Sequence, residues 1–321
     1  MKMRYIINIT AILVLILSYS ACTNDKGKES QESKEIEKVF PMVVIPQNYT
    51  TPKEKADFLV EHYWDNFDFT DTTYLNYPEV MGQAVATYAE VLPYTDSVII
   101  EASINKSLMK ASERRNMLNY FLTAYKKYFY DPNSPVRNED AYIVVLKYIV
   151  KKEVDEAEKQ RAQFDLDMLL KNRVGDKATD ITYTLSTGNI STLYNLKSDY
   201  TILMFYNPDC ESCEETIAIM RASPIISKLV QLKIASVLAF YPDRDLSIWE
   251  KHRKGIPSDW INGYDKNQEV EIKRLYDLKA IPTLYLLDRD KKVLLKDAHI
   301  KLIEAYLVNS NPMIFSEEIR N

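Results

Sequence analysis

Two cysteines stand close together in Cys210-Glu211-Ser212-Cys213, after an apolar run at residues 201–206 and before a helical pattern. A thiolate is the nucleophile of disulfide exchange, and the unpaired N–H groups at a helix N-terminus favour that anion. Cys210 would therefore attack a disulfide, and Cys213, one helical turn later, would resolve the mixed disulfide. The pattern predicts thiol–disulfide exchange that needs no cofactor beyond the redox-active Cys210–Cys213 pair.

The same cysteine spacing also occurs in zinc sites, where the pair would supply half of the ligands. That alternative needs two further ligands, and the sequence offers only His62, His252 and His299, with no second close cysteine pair. We therefore expect no metal. We expect His252 and His299 to be solvated.

A second motif, Ala280-Ile281-Pro282-Thr283, precedes another strand pattern. Only proline makes a cis peptide bond inexpensive, and a cis bond here would expose the Ile281 backbone for pairing with an extended substrate. An ordinary proline at the start of a strand is the alternative. The cysteines and their spacing favour the cis interpretation, with Ile281 and Pro282 as substrate-binding residues.

The first residues form a targeting segment, in which two basic residues precede an apolar stretch at 6–17 and small residues then lead to Cys22. This segment resembles the lipobox of bacterial lipoproteins, although Tyr19 stands where leucine is usual. An ordinary signal peptide or an uncleaved anchor is the alternative. The resemblance implies a signal peptide at 1–21, lipidation of Cys22, and a membrane anchor facing the periplasm or the cell surface.

If Cys22 carries lipid, only Cys210 and Cys213 remain of the three cysteines, so an exported chain has no structural disulfide framework. A bridge across so short a loop removes little unfolded-state entropy, which favours a redox-active pair over a structural one. The net charge of −5 comes from interspersed acidic and basic residues, so no nucleic acid partner is expected. Residues 22–39 are polar and predict a flexible tether.

Residues 40–173 show apolar side chains at spacings of three and four and predict an all-helical domain, whose first helix begins with a capping box at Thr51-Pro52-Lys53-Glu54. A second domain, 174–321, alternates strand-like and helical patterns, which predicts a partly parallel α/β sheet. The predicted strands are 181–185, 200–206, 234–240, 283–288 and 293–296, and the predicted helices are 213–221, 225–232, 246–253, 270–276 and 300–309.

Together these motifs resemble the thioredoxin-like superfamily, and within it the membrane-tethered thiol-disulfide oxidoreductases of the TlpA-like type. The resemblance covers residues 175–309 and includes Gly175-Asp176-Lys177-Ala178, residues 202–213 and Ile281-Pro282-Thr283-Leu284. It implies a central sheet flanked by helices, with Cys210 as nucleophile, Cys213 as resolving thiol and Pro282 in cis. Residues 62–68 resemble an uncharacterised helical domain that precedes thioredoxin-like domains in bacterial lipoproteins, and this likeness assigns no activity.

Three features depart from the family pattern. Met204 stands where thioredoxins carry a buried aspartate that relays a proton to the resolving thiol, and Asp209 replaces the usual aromatic residue. Glu211-Ser212 replaces Gly-Pro between the cysteines. Acidic residues near the thiols oppose thiolate formation, so we expect Asp209, Glu211 and Ser212 to tune the pair towards reduction of its partners.

The leading hypothesis is therefore a lipid-anchored thiol-disulfide oxidoreductase of the cell envelope that acts on protein thiols and disulfides, as a reductase. It would require an electron donor, because no glycine-rich phosphate loop for a nicotinamide or flavin cofactor is present. The alternative is a binding module, in which the helical domain recruits a partner or ligand and the thioredoxin-like domain is a scaffold.

Overall fold

The computed structural model describes residues 38–152 and 155–315. The predicted signal peptide, Cys22 and most of the predicted tether lie outside the described residues. The described residues from Val39 to Phe315 form one compact unit, and the predicted domain boundary between residues 173 and 174 stays a prediction. Within the described residues, no helix is both long and apolar enough to cross a membrane.

The first half of this unit is helical over its described residues. Its first helix begins at the predicted capping box, in which Glu54 N–H donates to Thr51 Oγ1 (3.2 Å) and Thr51 N–H donates to the Glu54 carboxylate (2.9 Å). The helices are α1 Pro52–His62, α2 Pro78–Val91, α3 Ser97–Ala111, α4 Arg115–Tyr125, α5 Glu139–Lys151 and α6 Glu156–Leu169.

Aromatic side chains fill the core of the helical half. Trp64 is 3% exposed, and its ring packs edge-to-face on Phe121 at a centroid distance of 5.0 Å. Tyr63 is also buried and donates its hydroxyl proton to the Ala84 carbonyl (2.7 Å), so its polar atom has a partner. The helical half therefore has a hydrophobic core of its own.

The second half is a seven-stranded mixed sheet with helices on both faces, in the order β2-β1-β5-β4-β3-β6-β7. Strand β3 lies inside the sheet, where it pairs in parallel with β4 and antiparallel with β6. The strands are β1 Thr182–Leu185, β2 Ile190–Thr192, β3 Tyr200–Phe205, β4 Ala235–Tyr241, β5 Ile261–Tyr264, β6 Thr283–Leu287 and β7 Val293–Lys296. The helices are α7 Glu211–Ala222, α8 Pro224–Gln231, α9 Leu246–His252, α10 Glu269–Ile272, α11 Ile300–Ser310 and α12 Pro312–Phe315.

Alternate side chains of β3 enter two different cores, as the two-residue period of a strand requires. Ile202 and Met204 pack in the core that contains Cys213 and residues of α7, α8 and α11. Leu203 and Phe205 pack on the other face of the sheet. The carboxyl end of β3 is therefore fixed between two packed layers.

Three predictions of secondary structure were wrong. Strands β2 and β5 were missed, since both are short and β5 contains Asn262-Gly263, a pair that is typical of turns. The predicted helix at 270–276 is much shorter, because Arg274 adopts a left-handed φ of 52° and Leu275 N–H donates back to the Val270 carbonyl.

Candidate functional site

The two cysteines lie where β3 connects to α7. After β3 the chain turns through Asn207-Pro208-Asp209, and Cys210 is the N-cap residue of α7. The Cys210 carbonyl accepts hydrogen bonds from the N–H groups of Cys213 (3.0 Å) and Glu214 (3.1 Å), which closes the first helical turn. Cys210 therefore lies where the helix has unpaired N–H groups and the positive end of its dipole.

Cys213 is the buried member of the pair. It has no exposed surface, whereas Cys210 is half-buried, and both are free thiols. Burial raises the pKa of the Cys213 thiol to about 12; the Asn207 N–H opposes this rise, while a hydrogen bond to Cys210 and the charge of Asp243 add to it. At neutral pH Cys213 is therefore protonated, and Cys210 is the sulfur that solvent can reach.

The Ile281–Pro282 peptide bond is cis and lies beside Cys210. The Cys210 thiol donates to the Ile281 carbonyl oxygen, 3.4 Å from Sγ, across 71 residues of sequence. Strand β6 brings this loop to the cysteines, because it begins at Thr283, which pairs with Phe205 at the end of β3. The structure thus places both predicted motifs at one point of the fold.

In the core that contains Cys213, the fully buried Met204 occupies the position where the family pattern has an aspartate. The acidic residue Asp243 is linked to the Cys213 thiol through Asn207. Asn207 N–H donates to Cys213 Sγ (3.4 Å), and Asn207 Nδ2 donates to the Asp243 carboxylate (2.6 Å). Sequence reasoning missed Asn207 and Asp243 as site residues. Both follow the carboxyl ends of adjacent parallel strands, a position that could have indicated them.

The predicted tuning residues Asp209, Glu211 and Ser212 are all exposed around the pair. His252 Nε2 lies 3.5 Å from Asp209 Oδ1 and is itself shielded from solvent, but 32% of the His252 side chain is exposed, so the ring is only partly solvated. His299 is exposed, as predicted. In the part of the chain that the structure describes, no group of three or more His, Cys, Asp or Glu side chains could hold a metal ion.

A cleft of about 1210 Å³ opens beside the cysteines, and we call it the dithiol cleft. The cis proline loop, with Ile281 and Pro282, lines it together with Ser212 and Thr216 of α7. The helical half also lines it, through the loop before α5 that contains Pro132, Asn133, Ser134 and Pro135. The cleft is therefore bounded by both halves of the chain.

Ion pairs join the helical half to the cis proline loop. Glu139, the first residue of α5, accepts hydrogen bonds from Lys279 and from Lys296, each at 2.9 Å. Arg137 donates to Glu139 (2.5 Å) and to Asp297. Burial raises the pKa of Glu139, but Lys296 and Lys279 outweigh burial and lower it to about 2, so this carboxylate is ionised at neutral pH.

Both halves of the chain are similar to known proteins. The family described as a domain of unknown function (DUF5106) matches residues 21–172. A thioredoxin-like protein from Bacteroides caccae is 44% identical, with a TM-score of 0.81, and the match covers 84% of this chain and 98% of that chain. The C-terminal domain of an uncharacterized protein from Bacteroides fragilis is 49% identical over 43% of this chain and 98% of that chain, with a TM-score of 0.42. No curated protein matches the chain.

The sheet order, the cysteine pair at the start of α7 and the neighbouring cis proline define a thioredoxin-like fold. Because the Bacteroides caccae protein matches over most of both chains, this chain belongs to the thioredoxin-like family. The predicted fold class, an α/β thioredoxin-like part preceded by an all-helical part, is confirmed.

Proposed function

We propose that the protein is a thiol-disulfide oxidoreductase that exchanges disulfides with protein substrates and acts as a reductase. The observation that carries this proposal is the position of Cys210, at the N-terminus of α7 with Sγ 3.4 Å from the Ile281 carbonyl and buried Cys213 in the next turn. In this proposal Cys210 is the nucleophile, Cys213 resolves, and Ile281 and Pro282 bind the substrate backbone.

The proposed reaction transfers two electrons to the client protein. The Cys210 thiolate attacks one sulfur of the client disulfide; a bond forms between Cys210 and that sulfur, and the other client sulfur leaves as a thiolate. Cys213 then loses its proton and attacks Cys210, which forms the Cys210–Cys213 disulfide and releases the second client sulfur. The client thiolates take up two protons, and a separate dithiol donor must reduce the Cys210–Cys213 disulfide.

Charge near the thiols supports the reductive direction. Strong oxidants of this type stabilise their attacking thiolate, which makes the reduced form of the pair stable. Asp209 and Glu211 are exposed chain neighbours of Cys210, and their negative charges act against the effect of the helix N-terminus, because like charges disfavour an anion. We therefore propose that the pair releases electrons readily, with Ser212 as a neutral neighbour that does not offset this effect.

The test is turnover of an insulin disulfide with dithiothreitol as donor. Wild type should be active and Cys210→Ser inactive, and Cys213→Ser should accumulate the mixed disulfide with insulin. If wild type is no faster than Cys210→Ser, the protein is better described as a binding module. The reduction potential tests direction: a value near about −270 mV supports a reductase, and one near about −120 mV contradicts it.

We also propose that Cys22 is lipidated and holds the protein on a membrane of the cell envelope, facing the periplasm or the cell surface. The support is the basic start, the apolar run and the small residues that precede Cys22. Wild type should fractionate with membranes and carry acyl groups on Cys22 by mass spectrometry, whereas Cys22→Ala should carry no acyl group at this position. A membrane-bound wild type without acyl groups on Cys22 would contradict lipid anchoring.

A further inference from the structure

The dithiol cleft is lined by the start of α11, including Leu302, and by two walls that come from distant parts of the sequence. One wall is helix α7, which contributes Ser212, Thr216 and Ile219. The other is the loop of the helical half that contains Asn133 and Pro135. A molecule that approaches the cis proline loop along the cleft therefore passes residues that a thioredoxin-like fold alone would not supply.

The helical wall is fixed to the site by the ion pairs around Glu139. Lys279 lies in the loop that leads to Ile281, and its side chain is only 12% exposed where it meets Glu139. Lys296 is 6% exposed and meets the same carboxylate. Partly buried, charge-assisted hydrogen bonds of this kind are strong and directional, so the wall and the cis proline loop keep one geometry.

The size and lining of the cleft indicate its occupant. Pockets for small molecules are about 300–1,000 Å³ and enclose most of the ligand, whereas this cleft has about 1210 Å³. Its lining includes three exposed apolar side chains, Val174 (64%), Ile219 (56%) and Leu302 (53%), together with the residues of the cis proline loop. An extended polypeptide presents backbone groups and alternate side chains to a groove of this kind.

We propose that the dithiol cleft binds an extended segment of the client polypeptide next to its disulfide, with the helical half as one wall and apolar client side chains against Ile219 and Leu302. This inference rests on the proposed oxidoreductase function and adds the recognition element to it. The helical half thereby acts in substrate selection, and a small disulfide that lacks flanking residues does not use this wall.

The first test places a bulky side chain on the helical wall, which would narrow the dithiol cleft. Asn133→Trp should lower kcat/KM for insulin by about tenfold, yet change kcat/KM for 2-hydroxyethyl disulfide by less than about twofold. Asn133 is exposed in a turn, and Asn48, which is exposed in another turn away from the cleft, supplies the control Asn48→Trp. The control should leave both substrates unaffected.

The second test removes an apolar contact. Leu302→Ser should lower kcat/KM for insulin by about threefold or more without changing that for 2-hydroxyethyl disulfide. Leu232 is equally exposed (53%) but does not line the cleft, so Leu232→Ser is the matched control.

Four outcomes decide the inference. Selective loss of insulin turnover in Asn133→Trp and Leu302→Ser supports it. Unchanged insulin turnover in both variants overturns it, as does an equal loss on both substrates. In either of these cases a wild type that reduces 2-hydroxyethyl disulfide leaves the oxidoreductase proposal standing. A wild type that reduces neither substrate refutes the proposed function and this inference with it.

Discussion

Replacing Glu139 by glutamine would remove one negative charge from the contact between the two halves and keep the shape of the side chain. The Glu139 carboxylate meets Lys279 and Lys296, each at 2.9 Å. Lys279 also has Asp277 at 2.7 Å. Among the described residues, Glu139 is the only carboxylate in an ion pair with Lys296, so Glu139→Gln leaves a nearly buried ammonium without its counter-charge.

The pKa of Glu139 gives the size of the effect. Burial raises it, but the two lysines outweigh burial and lower it from 4.5 to about 2. With about 1.36 kcal/mol for each tenfold change in proton affinity, this fall corresponds to about 3 kcal/mol of stability at neutral pH. Removing one partner of a buried ion pair costs about 3–5 kcal/mol, so the two values agree.

The direction of the pH dependence follows from the lowered pKa. In the unfolded chain Glu139 titrates near 4.5, and in the folded chain near 2. The stabilisation is therefore complete above pH 4.5 and is lost as the pH falls towards 2. Because glutamine does not titrate, the difference in unfolding free energy between wild type and Glu139→Gln should be largest at neutral pH and shrink on acidification.

Urea unfolding of the full chain, followed by circular dichroism, measures this difference at neutral pH and at several values below 4.5. Glu113 is exposed, and Glu113→Gln should change the unfolding free energy by no more than about 0.5 kcal/mol. If Glu139→Gln lowers the unfolding free energy at neutral pH by less than about 1 kcal/mol, the Glu139 contacts contribute no more than a surface ion pair and the expected loss is refuted. A gap that stays constant on acidification would refute it equally.

Three further variants test separate parts of the α/β half. Gly263→Ala should cost about 1–3 kcal/mol in thermal unfolding, because its Cβ would lie 2.8 Å from a tyrosine ring on β1, whereas Gly255→Ala meets open space and should be neutral. Asn262→Ala should cost at least about 2 kcal/mol by urea unfolding, because it leaves a buried tyrosine hydroxyl and an indole N–H without an acceptor. Alkylation of the Cys213 thiol should be slow at neutral pH, and Asp243→Asn should accelerate it by removing a charge that raises the Cys213 pKa. Tandem mass spectrometry identifies the alkylated cysteine, and equal alkylation rates in wild type and Asp243→Asn would contradict this expectation.

The sequence predicted the central elements because their signals are local. The strand at 293–296 has the predicted bounds, and the predicted strand at 200–206 is one residue shorter in the structure. Strand β5 could not be predicted, because Asn262 and Gly263 have low strand propensity and the strand forms through its pairing with β4 and β1. Gly263 is required there by the Tyr183 ring that packs on it.

The residues of the candidate site also fall into two groups, those that the sequence could indicate and those that it could not. Cys210, Cys213 and Pro282 could be found from short motifs, because their chemistry depends on residue type and spacing. Arg137 and Glu139 could not, because they contact Asp297 and Lys279 across 160 and 140 residues. A single charged residue on a helix gives no signal of which distant charge will pair with it, since such pairs have no period in the sequence.

The strength of these distant pairs bears on how the dithiol cleft would work. Separating the helical wall from the cis proline loop would remove the contacts that lower the pKa of Glu139 from 4.5 to about 2, a fall that corresponds to about 3 kcal/mol at neutral pH. A cost of about 3 kcal/mol corresponds to a population of open molecules of about one in a hundred. The cleft is therefore formed before any client arrives, and a client segment would bind without first having to order the wall. Selection by the helical half would then depend on the fit of the segment to a preformed groove. The Glu139 ion pairs would contribute to this selection by holding the groove in place.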